Sequence, residues 1–77
     1  MAKAFKPYVR YTDDKGQTKG VQLPTYSEIK RKLKTFMDDS MDNKVTVYRH
    51  RRGKWGEWFE NWHKVGNKCE IVKQGWQ

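Results

Sequence analysis

The chain has 77 residues, 17 Lys and Arg against 9 Asp and Glu, a formal charge of +8 and a single cysteine. A domain near this size buries only about 60% of the surface its unfolded chain exposes, so no deep core is available. The lone Cys69 excludes an internal disulfide and the usual cysteine zinc frameworks. No stretch approaches the ~20 apolar residues of a membrane span, and MAKAFKPYVR lacks the apolar run of a secretory signal. The expectation is one soluble, cytoplasmic domain over residues 1–77, with no membrane partner, no metal and no cofactor.

Phe5, Pro7, Val9 and Tyr11 alternate with Lys6, Tyr8, Arg10 and Thr12, the period-two pattern of a half-buried strand. Pro7 has no N–H for a ladder, so the strand begins there or lies at an edge. Asp13-Asp14-Lys15-Gly16 reads as a turn, and Thr18 to Leu23 as the returning strand. After Pro24, Thr25 with Glu28 three residues on predicts a capping box at the start of a helix. Tyr26, Ile29, Leu33, Phe36 and Met37 then form one apolar stripe running to about Asp38. Asp38 and Asp39 lie at the negative end of the helix dipole, which predicts a stop there and an exit loop from Ser40 to Asn43.

Val45 to Arg52, Trp55 to Val65 and Lys68 to Lys73 read as three further strands, joined at Gly53-Lys54 and Gly66-Asn67. The order is ββαβββ, a small α+β domain with one helix packed on an antiparallel or mixed sheet. This order resembles that of β-grasp proteins, and order alone leaves open which strands pair.

The segment from Lys44 to Lys64 carries three of the chain's four tryptophans with Tyr48 and Phe59, threaded through Arg49, Arg51, Arg52 and Lys54. Cations attract phosphate and aromatic faces stack on bases, so the interleaving points to a nucleic-acid surface. Hairpin register decides which rings are available, because a one-residue slip sends every side chain to the other face. A two-residue turn at Gly53 pairs Val45 with Trp62, Tyr48 with Phe59 and Arg49 with Trp58. That register puts Trp58 and Trp62 on the core face with Val45 and Val47, and Arg49 over the Trp58 ring at the margin. A five-residue turn centred on Lys54 exposes both tryptophans instead. The first is favoured, since two buried tryptophans supply apolar area that a small core lacks. A bulge at Gly56 would switch faces partway along.

On this reading Tyr48, Phe59 and Trp55 stack unpaired bases, Arg51, Arg52 and Lys54 hold phosphates at the hairpin tip, and His50 touches phosphate. Lys30 and Lys34 on the helix are further phosphate candidates, although Glu28 paired with Lys32 at i, i+4 explains that basic run as an ordinary solvated face. The competing account of the hairpin is structural, with aromatics filling the core and arginines guarding a strand edge. Residues 52–59 resemble the RNP1 pattern of RNA-recognition domains, but an extra residue separates Gly53 from Trp55 and a second helix is missing, so no site residue is carried over.

An enzyme reading would have to use His50, Glu57, Glu60, Asn61, His63 or Cys69. His63 falls in a strand rather than on the helix that small metal nucleases use, and Cys69 alternates with Ile71 as a core residue does. The expectation is therefore a non-catalytic nucleic-acid-binding domain that prefers single-stranded or distorted sites. The alternative is a small protein-interaction module, an inhibitor or adaptor of the kind mobile elements encode, docked on one larger partner.

Overall fold

A computed structural model describes residues 6–50 and 56–76 of the chain. The elements follow the order β1 (Tyr8–Thr12), β2 (Thr18–Gln22), α1 (Tyr26–Asp39), β3 (Lys44–Arg49), β4 (Trp58–Val65) and β5 (Lys68–Trp76). The strands form a five-stranded sheet in the order β2-β1-β3-β4-β5. Every pairing is antiparallel. The fold is the expected ββαβββ α+β domain, and the choice between an antiparallel and a mixed sheet resolves to antiparallel. None of its helices is long and apolar enough to cross a membrane among the described residues.

Local chemistry accounts for each junction. The Asp13 side chain accepts from the backbone N–H of Lys15 at 3.0 Å and of Gln17 at 2.9 Å, which closes the first turn, and Gly16 takes a φ of 81° there. Thr25 caps α1 by accepting from the Glu28 N–H at 3.3 Å. The Glu28 carboxylate pairs with Arg31 at 3.7 Å rather than with Lys32. The helix ends at Asp39, and both terminal acids have partners that offset the dipole: Asp38 accepts from Lys64 at 3.0 Å, and Asp39 from Tyr11 at 2.6 Å and Lys19 at 3.1 Å. Gly66-Asn67 is the two-residue link expected between β4 and β5, with Val65 paired to Lys68.

The β3–β4 register is the favoured one. Val45 pairs with Trp62, Tyr48 with Phe59 and Arg49 with Trp58. Alternation then assigns the two faces of the sheet. Val9, Tyr11, Val45, Val47 and Trp62 pack with Ile29, Leu33, Phe36 and Met37 of α1 to form the core, while Val21, Leu23, Tyr26 and Cys69 lie against its margin. The other face has no helix over it among the described residues.

Three details depart from expectation. Gly56 takes a φ of 87° ahead of β4 and does not interrupt it. The irregularity lies instead between Asn61 and Trp62, where β5 carries Val72 as an extra residue. β5 also runs past Lys73 to Trp76, because Gly75 stands opposite Phe59 with that ring only 3.6 Å from where a Cβ would be. The ring covers the glycine, so a residue that reads as a breaker is held in the strand. The predicted turn at Gly53 and the predicted strand residues from Arg51 to Trp55 lie outside the described residues, in which β3 ends at Arg49 and β4 begins at Trp58.

Candidate nucleic-acid interface

The two faces of β3 and β4 do different work. On the core face, Trp58, Glu60 and Trp62 follow one another along β4 at every second residue. Glu60 is 1% exposed. Its Oε1 accepts from the Tyr26 hydroxyl at 2.5 Å and the Trp62 Nε1 at 3.1 Å, and its Oε2 from the Trp58 Nε1 at 3.1 Å and the Arg49 Nε at 3.2 Å. The Arg49 Nη2 adds an ion pair at 3.1 Å. A buried carboxylate is costly unless its lone pairs are filled, and here side chains from α1, β3 and β4 fill them. The Arg49 guanidinium lies 3.9 Å from the centre of the Tyr26 ring, not over Trp58 as expected. Trp58 turns its edge to Trp76, with ring centres 5.0 Å apart at 72°, and stays half-buried while Trp62 is buried.

On the open face the registers place side chains in rows across the strands. One row holds Tyr8, Tyr48, Phe59 and Gly75. The next, two residues along each strand, holds Arg10, Thr46, Asn61 and Lys73. Rows two residues apart are separated by about 6.6 Å. Tyr8 and Tyr48 stack with ring centres 4.8 Å apart at 20°. The Phe59 ring lies over Gly75. The Tyr8 hydroxyl is held above its ordinary pKa by partial burial, then by the neighbouring Glu57 carboxylate, so the phenol stays protonated. Below Tyr48 lies a concavity of about 430 Å³ bordered by Arg10, Thr12, Lys44, Thr46, Asn61 and His63.

The sequence-predicted residues thus separate into groups. Tyr48 and Phe59 meet on the open face, and His50 is exposed just beyond β3. Arg51, Arg52, Lys54 and Trp55 lie outside the described residues. Lys30 and Lys34 are exposed on α1, on the opposite side of the sheet from Tyr48 and Phe59, so they do not continue that surface. Lys30 sits 5.8 Å from the Tyr26 ring, at the Arg49 end of the molecule. Sequence reasoning missed Tyr8, Arg10, Lys44, Asn61 and Lys73 as neighbours of Tyr48. The alternation that buries Val9 marks Tyr8 and Arg10 as its opposite face, but only the pairing of β1 with β3 brings them beside Tyr48.

No family model, curated protein or solved structure matches the chain.

Proposed function

We propose that the chain is a non-catalytic nucleic-acid-binding domain that holds single-stranded or locally distorted strands on the open face of its sheet. The observation that carries this reading is the stacked Tyr8 and Tyr48 pair, with Phe59 in the same row, beside a row containing Arg10 and Lys73. Aromatic faces offer stacking to any base, and cations one row away suit the phosphates that join those bases. A net charge of +8 adds long-range attraction for a polyanion. Bases inside a regular duplex are already stacked, which favours single strands. Arg51, Arg52, Lys54 and Trp55 join the reading by chemistry alone, as further phosphate and base contacts next to His50.

The test is titration with single-stranded and duplex oligonucleotides at low and physiological salt, followed by tryptophan emission and by anisotropy of a labelled strand. Tight binding of single strands that weakens steeply with salt is expected. Absence of binding to any oligonucleotide at low salt, or affinity indifferent to salt, contradicts the proposal. Paired replacement of Arg51 and Arg52 by Ala should weaken binding to all sequences alike.

One observation favours the alternative of a larger protein partner. β5 is an edge strand of nine residues with Val72 at 52%, Trp76 at 39% and Ile71 at 37% exposure. An apolar edge of this kind suits a protein that adds a strand. Capture of one stoichiometric partner that survives nuclease treatment and is lost on Val72→Lys would support that reading.

A further inference from the structure

The concavity below Tyr48 is lined by hydrogen-bond donors that the fold itself does not use. Thr46 Oγ1 donates to Asn61 Oδ1 at 2.9 Å, which leaves both N–H groups of the Asn61 amide without a partner among the described residues. Arg10 and Lys44 are exposed and form no ion pair among the described residues. Arg10 pairs with Thr46 across β1 and β3, so Lys44, two residues from Thr46, is its diagonal neighbour on the same face. Such neighbours lie about 7–8 Å apart, within reach of long side chains that converge on one small anion. Lys44 in turn pairs with His63, and Asn61 is the diagonal neighbour on that side. Asp42, the one carboxylate among the described lining residues, accepts from the Ser40 hydroxyl at 2.8 Å.

Some cations elsewhere are paired, and others, such as Lys30, Lys32 and Lys34 on α1, form no ion pair among the described residues. Lys19 and Lys64 are matched to Asp39 and Asp38, and Arg49 to Glu60. What distinguishes Arg10 and Lys44 is that they border one concavity of about 430 Å³ together with the Asn61 amide, where Asp42 is the one carboxylate among the described lining residues. Tyr48 stands at the rim of that concavity.

We infer that this concavity seats one phosphate of the bound strand, held jointly by Arg10 and Lys44 with a hydrogen bond from the Asn61 amide, while the adjoining base stacks on Tyr48. The inference rests on the nucleic-acid reading and adds a position and a stoichiometry to it: two cations, one phosphate.

The salt dependence of binding counts phosphates, since each one neutralised on a single strand contributes a slope of about 0.7 in log K against log salt. The double variant Arg10→Ala with Lys44→Ala should lose about 0.7 of that slope and bind a labelled single strand about tenfold more weakly or worse. The swap Arg10→Lys with Lys44→Arg should keep the wild-type slope. Asn61→Ala should weaken binding by about tenfold with the slope unchanged, as loss of an uncharged donor to a phosphate would. A slope loss of about 1.4 in the double variant would mean two separate phosphates and overturn the shared seat. An unchanged slope and affinity would overturn the seat altogether while leaving the proposed function standing. Failure of the wild-type protein to bind any oligonucleotide would instead remove the proposed function itself. Thermal unfolding of each variant, with midpoints near wild type, establishes that the exposed Arg10 and Lys44 and the half-buried Asn61 are read through binding alone.

Discussion

The two faces of the β3–β4 hairpin use similar side chains to opposite ends. On the helix side, Arg49, Trp58, Trp62 and Tyr26 all donate to the Glu60 carboxylate. On the open side, Tyr48 and Phe59 stand beside the row that holds Arg10 and Lys73, with Lys44 one row further along, and these three cations form no ion pair among the described residues. Aromatic and basic composition alone therefore does not identify a binding surface. What separates the faces is whether the donors are already occupied, and substitutions on the two sides should separate stability from binding.

The largest effect is expected at Glu60. Glu60→Ala leaves the Arg49 guanidinium, two indole N–H groups and the Tyr26 hydroxyl without their acceptor, and breaking a buried ion pair in this way costs about 3–5 kcal/mol. Arg49 keeps partial contact with water, which puts the cost near the lower bound. Urea unfolding measures it, and a loss under 1 kcal/mol would remove the structural account of the core face.

Tyr48→Ala should act in the opposite sense. A base–aromatic stack is worth about 1–3 kcal/mol, so single-strand affinity should fall by about fivefold to 150-fold. Its stability cost should be smaller than that of Glu60→Ala, limited to the Tyr8 stack and its partly buried area. Equal losses of stability and none of binding would make the open face structural as well.

A smaller effect concerns pH. Asp39 has its carboxyl held below the ordinary value by the Tyr11 hydroxyl, then by Lys19. A depressed carboxyl contributes stability above its unfolded pKa, and that contribution disappears as pH falls through the folded value. Asp39→Asn should therefore lower stability near neutrality and flatten its decline below about pH 4. Lys19 and Tyr11 are shifted upward, Lys19 chiefly by its bond to Asp39 and Tyr11 chiefly by burial. Their contributions are present below their ordinary values and fade as pH rises through the folded ones. Thermal midpoints across pH 2–11 read both limbs.

The smallest effect is expected on the helix. Lys30→Ala with Lys34→Ala removes two cations from the far side of the sheet and should change single-strand affinity by about twofold or less at physiological salt, where charges beyond ~8 Å are screened. A loss comparable to that of Tyr48→Ala would place the ligand on the helix side.

Much of this organisation can be read from residue order. Val45 and Val47 demand partners on one face, and only one hairpin register supplies Trp62 there, so the faces of β3 and β4 follow from apolar area. The Thr25 cap and the stripe from Ile29 to Met37 are equally local signals. The Glu60 cluster was not legible, because its Tyr26 partner lies 34 residues away and the contact depends on how α1 crosses the sheet. A glutamate between Trp58 and Trp62 on a core-facing register is the one clue. The end of β5 was hidden by Gly75, whose place in the strand depends on the Phe59 ring opposite. Arg10 and Lys44 were hidden by the β1–β3 pairing, which no hairpin enforces.

The central claim is that the open face binds single strands through its aromatic row. The direct measurement is an anisotropy titration of a labelled single-stranded oligonucleotide with the wild-type protein and with Tyr48→Ala, at low and physiological salt. The account predicts wild-type binding that weakens with salt, and a Tyr48→Ala affinity lower by about fivefold or more at both salts. Equal affinity of the two proteins, or no wild-type binding at low salt, would contradict it.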